Sequence, residues 1–392
     1  MDITAATTQS LEVSRKFLSL HGDAPLLVSS PGRINLIGEH TDYNNGWVLP
    51  AAIDKRIFAA VGKRDDGMIH IHAADENQTH TVALDAIAPS SILWPNYILG
   101  VVQQLMKRRF PLQGFNLVFG GDIPQGAGLS SSAALECATA TALNELFAFG
   151  ISKLDIALLA QAAENEFVGV KCGLMDQFAS VFGREQHLIK VDCSDFSYEY
   201  VPFPNMNVEL VLFDTQVKHS LASSAYNERR EQCEYGVSLI KKHHSEVHSL
   251  RDATPSQLER YVRPADQVVY DRCRYVLAEF QRVHNACDAL QQGNLDLLGS
   301  LLFASHEGLQ RQYEVSCPEL DVLVDSVMNE TDVLGARMMG GGFGGCTINL
   351  VRPGQVQQVI GRVSEIYQAK TGKTLQVYRT RIASGTHILT AS

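Results

Sequence analysis

A two-domain protein of mixed helix and strand, α/β in the α+β arrangement, is what this chain predicts, on three observations. Its 392 residues exceed what one ordinary core serves. Residues 48–84 alternate apolar or β-branched side chains with polar ones, as half-buried strands do, and helix-like and strand-like runs then alternate. A proline-containing turn at 203–207 separates this part from a mostly helical second half, so the expected domains are 1–205 and 206–392.

Composition excludes several classes. Hydrophobic residues make up 45% of the chain, as in a soluble globular protein. Lys and Arg number 33 against 43 Asp and Glu, a net charge of −10 with no basic run, so nucleic acid is not an expected partner. Residues 1–10 are polar without a basic or apolar leader, and no stretch reaches the roughly 18 apolar residues of a membrane span. A cytoplasmic protein is therefore expected. The eight cysteines include no C-x-x-C pair, which fits reduced structural thiols.

In chain order, residues 8–20 form an amphipathic helix carrying Leu11, Phe17, Leu18 and Leu20, stopped at His21-Gly22. A short apolar run, Leu26 to Val28, leads into Pro31-Gly-Arg-Ile-Asn-Leu-Ile-Gly-Glu-His-Thr-Asp-Tyr-Asn44. Charged and amide side chains at that density suit a polyhydroxylated ligand, because carboxylates accept from sugar hydroxyls while Arg and His donate. The embedded Ile34, Leu36 and Ile37 would hold these groups against a core, which a plain surface turn does not need.

Residues 92–110 read as a helix with Trp94 near its start, and Gly114 to Phe119 as a strand. Next comes Gly120-Gly-Asp-Ile-Pro-Gln-Gly-Ala-Gly-Leu-Ser-Ser-Ser132, opening a helix over 133–147. Gly126, Ala127, Gly128 and Leu129, followed by Ser130, Ser131 and Ser132, make an anion cradle. Glycines allow close approach, and the free N–H groups and dipole of a helix start favour negative charge. A serine-rich helix cap is the competing reading. No lysine follows Gly128, so this is not a P-loop and a divalent cation would have to help neutralise phosphate.

A helix over 153–166 and a loop over 169–173 precede Met175-Asp176-Gln177. Asp176 is either a dipole-complementing aspartate at a helix start or a functional carboxylate. Strands are expected at 188–191 and 208–213, and helices at 222–242, 265–291, 295–310 and 318–329. The run Arg337-Met-Met-Gly-Gly-Gly-Phe-Gly-Gly-Cys346 formally contains G-x-G-x-x-G, but the strand-like 346–351 after it rejects a dinucleotide fold. Its glycines instead suggest backbone pressed against a ligand or the other domain. A helix over 355–369 and a strand over 375–378 complete the pattern.

The three segments at 31–44, 120–136 and 337–346 together resemble the signature motifs of the GHMP small-molecule kinases, and the first resembles the galactokinase signature. The resemblance implies an N-terminal domain of the ribosomal-protein-S5-like type and a ferredoxin-like C-terminal domain with the site between them. It implies ATP-dependent phosphorylation of the anomeric hydroxyl of α-D-galactose, with ATP and Mg2+. It assigns Arg33, Glu39, His40, Asp42, Gly173, Asp176 and Tyr226 to the sugar, residues 126–132 and Trp94 to the nucleotide, and Ser132 and Glu164 to the metal. Asp176 takes the catalytic part, with Arg33 beside it. Small-molecule substrates and a monomer are expected, and no membrane or nucleic-acid partner. A kinase for a related sugar such as N-acetylgalactosamine, or a non-catalytic sugar sensor, stays open. One departure is Met339, where the family usually has Thr.

Overall fold

The computed structural model describes residues 8–203, 208–217 and 222–389, and side chains within these outside 222–224. The turn taken as the domain boundary lies largely outside the described residues, at 204–207. Thirteen strands are described: β1 (Leu26–Asn35), β2 (Trp47–Val48), β3 (Pro50–Arg64), β4 (Met68–Ala73), β5 (Gln78–Ala83), β6 (Gly114–Gly121), β7 (His187–Asp192), β8 (Tyr198–Pro202), β9 (Glu209–Asp214), β10 (Val333–Met338), β11 (Cys346–Val351), β12 (Gln376–Thr380) and β13 (His387–Leu389). They form a six-stranded sheet β13-β1-β3-β6-β4-β5, a four-stranded sheet β10-β11-β9-β12 and a three-stranded sheet β2-β7-β8. All the pairings are antiparallel except β4 with β6.

Helices α1 (Thr8–His21), α2 (Leu93–Lys107), α3 (Ser131–Leu146), α4 (Lys153–Ala163) and α5 (Met175–Phe182) belong to the first part of the chain, and α6 (Ala222–Lys241) opens the helical second part. Helix α3 is buried through its middle, with Ala133, Ala134, Ala138 and Ala142 fully covered. Its small side chains let it lie close to the sheet. One apolar core runs from Val61 and Leu117 of the first sheet through Leu143 to Leu212 and Ile348 of the second, so the two sheets share an interior. Among the described residues no helix is long and apolar enough to cross a membrane.

Four differences from the sequence reading matter. Strand β1 does not stop at Val28 but runs to Asn35, with a register shift between Pro31 and Arg33. Proline inside a strand is tolerated at such a bulge, and the strand therefore carries Arg33 itself into the site. The helix expected over 153–166 ends at Ala163 and widens into a π-turn over Glu164–Val168. That expected over 318–329 ends at Asp325. Strand β13 pairs with β1, so the chain's last described strand crosses back to the first sheet over the boundary drawn from sequence.

Candidate active site

Arg33 and Asp176, 143 residues apart, meet as a fork on a fork. Arg33 Nε donates to Asp176 Oδ1 at 2.7 Å and Nη2 to Oδ2 at 2.8 Å, while Nη1 holds the Gly128 carbonyl at 2.6 Å. Arg33 is buried, and Asp176 keeps 26% of its side chain exposed. Burial pulls the Arg33 pKa down, but the charges of Asp176, Glu39 and Asp42 outweigh it and leave the pKa above its ordinary value. Ser130 donates a third hydrogen bond, Oγ to Asp176 Oδ2, at 2.5 Å. Its backbone is left-handed, φ 58°, and its side chain makes no capping bond to α3. The helix-cap reading is therefore wrong for Ser130: its hydroxyl is turned to the carboxylate.

The glycine–serine loop lies against the C-terminal glycine run. A Cβ placed on Gly340 would sit 3.6 Å from the Gly128 carbonyl, and one on Gly345 would sit 3.5 Å from that of Ala127. Gly126 and Gly128 have φ of 77° and 74°, a turn that side chains rarely adopt. The first hydrogen bond into α3 runs from Ala134 N–H to the Ser130 carbonyl, so the N–H groups of residues 131–133 stand outside the helical ladder. Trp94 packs on Phe119, in the strand that delivers the chain to this loop, and its indole N–H donates to Gln78 Oε1 at 3.1 Å.

Residues of the first motif stand close enough to Arg33 for the charges of Glu39 and Asp42 to act on it. Glu39 is buried, its Oε1 accepting from Arg337 Nη2 at 2.9 Å and from the Gly340 N–H at 2.8 Å. His40, with φ 62°, is buried; Nδ1 pairs with the Tyr43 hydroxyl at 2.8 Å, and Nε2 makes no hydrogen bond of good geometry. Burial and the Arg229 charge, opposed by the Gly341 backbone, lower its pKa to about 3, so the ring is neutral. Burial first, then the charge of Asp176, raises the pKa of Asp42 to about 7. Gly173 presses on Asp42: a Cβ there would lie 1.8 Å from Oδ2, so any side chain would displace the carboxylate. The Tyr226 ring closes the group, 5.3 Å from both His40 and Tyr43.

Ser132 and Glu164 also meet, with Ser132 Oγ donating to Glu164 Oε1 at 3.1 Å. Burial and the charge of Asp176 raise the Glu164 pKa to about 6, against the bonds from Ser132, Cys172 and Gln177. Among the described residues no cluster of three His, Cys, Asp or Glu could hold a metal. One hydroxyl and one carboxylate nevertheless fit magnesium, which prefers oxygen and keeps several waters. A cation there would also relieve the strain of a buried carboxylate beside Asp176.

Several supports escaped the sequence reading. Arg337, fully buried, donates to the carbonyls of Leu36, Asn35 and Met338 besides Glu39. Its only sequence signal was an arginine opening the glycine run. Glu279 accepts from the Gly38 N–H at 3.0 Å and from Ser305 at 2.7 Å, anchoring the first motif to the helix Gln267–Gln291. The buried Met339 accepts the Asn35 N–H on its sulfur at 3.4 Å, so its thioether serves as an acceptor for the first motif's backbone.

The chain that carries this buried polar group, glycine–serine loop and Arg–Asp pair on these sheets is a GHMP kinase. Residues 96–184 match the family model for the GHMP kinases N terminal domain, and residues 286–369 that for the GHMP kinases C terminal. Residues 15–63 match the galactokinase galactose-binding signature. The chain is 39% identical to the galactokinase of Roseiflexus sp. (strain RS-1), over 95% of this chain and 96% of that protein. It is 41% identical to the galactokinase of Thermotoga maritima, over 91% and 98%. Among solved structures, the Lactococcus lactis galactokinase complexed with galactose superposes with a TM-score of 0.91 at 34% identity, covering 95% of this chain and 98% of that one. The Methanococcus jannaschii mevalonate kinase, 17% identical with a TM-score of 0.65 over 92% and 99%, shares the fold. The chain belongs to the galactokinase family.

Proposed function

We propose that this protein transfers the γ-phosphoryl group of ATP to the anomeric hydroxyl of α-D-galactose, giving galactose 1-phosphate and ADP at the entry to galactose catabolism. The observation that carries this reading is the placement of Asp176, held by three side-chain donors between a buried sugar-facing group and a loop suited to phosphates. In this reading Glu39, His40, Asp42, Gly173 and Tyr226 read the sugar. His40 Nε2, which makes no hydrogen bond of good geometry, is the atom best placed in chemistry to donate to it or accept from it. The N–H groups of residues 126–132 and the dipole of α3 receive the triphosphate, with Trp94 toward the base. Asp176 orients the attacking hydroxyl and takes its proton, while Arg33 offsets charge that develops there. Bound through Ser132 and Glu164, Mg2+ would supply charge neutralisation of the phosphates. A monomeric cytoplasmic enzyme divided near residue 205 completes the reading. A coupled ADP-release assay across free sugars tests it: galactose should be turned over. Preference for N-acetylgalactosamine would support the related-sugar reading instead, and no turnover with any sugar a sensor.

Two results are expected here. Asp42→Ala should weaken galactose binding by about 1.5–3 kcal/mol per charged hydrogen bond lost, with nucleotide binding retained. Because the ionised carboxylate accepts more strongly, galactose affinity of the parent should rise as pH passes upward through about 7. Asp42→Asn should flatten that rise; calorimetry at pH 6 and 8 measures it, and an unchanged slope removes Asp42 from the sugar. Glu164→Gln should raise the magnesium concentration needed for half-maximal rate. A magnesium titration superimposing on that of the parent makes Glu164 structural only.

A further inference from the structure

Behind α3 lies a polar group that the transfer reaction does not use. Glu136, one helical turn beyond Ser132, and Gln177, next to Asp176 on α5, are both fully buried. Gln177 Nε2 stands between two carboxyl groups, donating to Glu136 Oε2 at 3.2 Å and to Glu164 Oε2 at 2.7 Å. The reverse amide orientation would set its oxygen against the Glu164 carboxylate, so that bond fixes which atom is nitrogen. The two remaining atoms of this pair, Glu136 Oε1 and Gln177 Oε1, are buried with no hydrogen-bond partner.

Two buried orphan acceptors, on side chains already bonded to each other, are a costly arrangement. One proton on Glu136 Oε1 turns that orphan acceptor into a donor. Burial, then the charge of Glu164, pushes the Glu136 pKa well above the usual carboxylate range, against the Gln177 bond, which agrees with a carboxylic acid there.

We propose that Glu136, acting through Gln177, is a positioning residue for Glu164: the acid–amide pair fixes the carboxamide, and the carboxamide fixes the carboxylate that faces Ser132. This rests on the reading of Ser132 and Glu164 as the metal-facing pair. An ionised Glu136 would add like charge behind Glu164, and an apolar residue would leave the amide free to turn. The same pair ties α3 to α5, as does the Cys137 thiol, which donates to the Gln177 carbonyl at 3.7 Å. The metal-facing carboxylate and Asp176 are thus set from one buried point.

The test is binding of Mn2+, as a paramagnetic probe, together with a non-hydrolysable ATP analogue, followed by electron paramagnetic resonance. Glu136→Leu and Gln177→Ala should weaken Mn2+ binding by about 10–100-fold, as loss of an outer-shell partner does, with galactose affinity by calorimetry unchanged. Glu136→Gln, a neutral side chain that can both donate and accept, should stay within a few-fold of the parent. Parent-like Mn2+ binding by Glu136→Leu, or by Gln177→Ala should the first variant not fold, overturns the proposal. So does Glu136→Gln as weak as Glu136→Leu. Glu164→Gln separates the two levels: if it binds Mn2+ as the parent does, the metal reading fails and takes the proposal with it. If it is weakened while the Glu136 and Gln177 variants are not, the proposal alone fails.

Discussion

Asp176→Asn should lower turnover by about 10²–10⁴-fold, the span typical of lost acid–base catalysis, in protein that stays folded and saturates with both substrates. The change keeps the shape of the side chain and removes its charge. Arg33 would then face an amide, whose single oxygen can accept from only one arm of the guanidinium, and the amide nitrogen would oppose one of the donors that now meet Asp176: Arg33 Nε at 2.7 Å, Arg33 Nη2 at 2.8 Å and the Ser130 hydroxyl at 2.5 Å. The loss should fall on kcat if, as proposed, Asp176 acts on the reacting hydroxyl rather than anchoring the rest of the sugar. The competing account is a helix-start aspartate, since Asp176 is in the first turn of α5. A charge there is worth about 0.3–1 kcal/mol to the helix, and its removal would lower the melting temperature slightly with turnover near normal. Steady-state rates and a thermal melt on one preparation decide between them. Turnover within a few-fold of the parent removes Asp176 from the mechanism.

What could be read from the chain follows the range over which its physics acts. The helix after Ser130 and the strand after the C-terminal glycines were legible because period and turn residues are local signals. The rejection of a dinucleotide fold at Gly340 to Gly345 holds, since Cys346–Val351 is a strand paired with β9 and β10. The end of α4 was not legible, because Glu164-Asn165-Glu166 suits a helix well and only packing decides that the turn widens there. β13 is three residues long, too short for a periodic signal. In the site, Asp176 and Arg33 were each conspicuous by setting, but their partnership came from family resemblance, as no spacing rule joins residues 143 apart. Arg337 and Glu279 were missed for the same reason: their partners, Glu39 and Gly38, are 298 and 241 residues away.

Arg337→Met should cost about 3–5 kcal/mol of stability, the range for removing one partner of a buried ion pair. No other fully buried side chain in the described structure is larger, and its guanidinium satisfies four acceptors at once: the carbonyls of Asn35, Leu36 and Met338 at 2.6, 2.8 and 2.9 Å, and Glu39 Oε1 at 2.9 Å. Methionine fills much of the volume and makes none of these bonds. Among the described residues, Glu39, 2% exposed, would keep only the Gly340 N–H as a donor. Such a loss is a large share of the roughly 5–15 kcal/mol that holds a typical domain together. Lysine should recover only part of it, because an ammonium is a point charge and cannot span acceptors spread around a planar fork. The double variant Arg337→Met with Glu39→Gln separates charge from packing. If the unpaired carboxylate is the main penalty, neutralising it should return part of the lost stability, and the two substitutions should be strongly non-additive. Urea denaturation of the parent, both single variants and the double variant measures this. Additive losses, or a single-variant loss below about 1 kcal/mol, would mean that water or a shifted backbone satisfies Glu39 and that Arg337 does not lock the first motif to the C-terminal glycine turn.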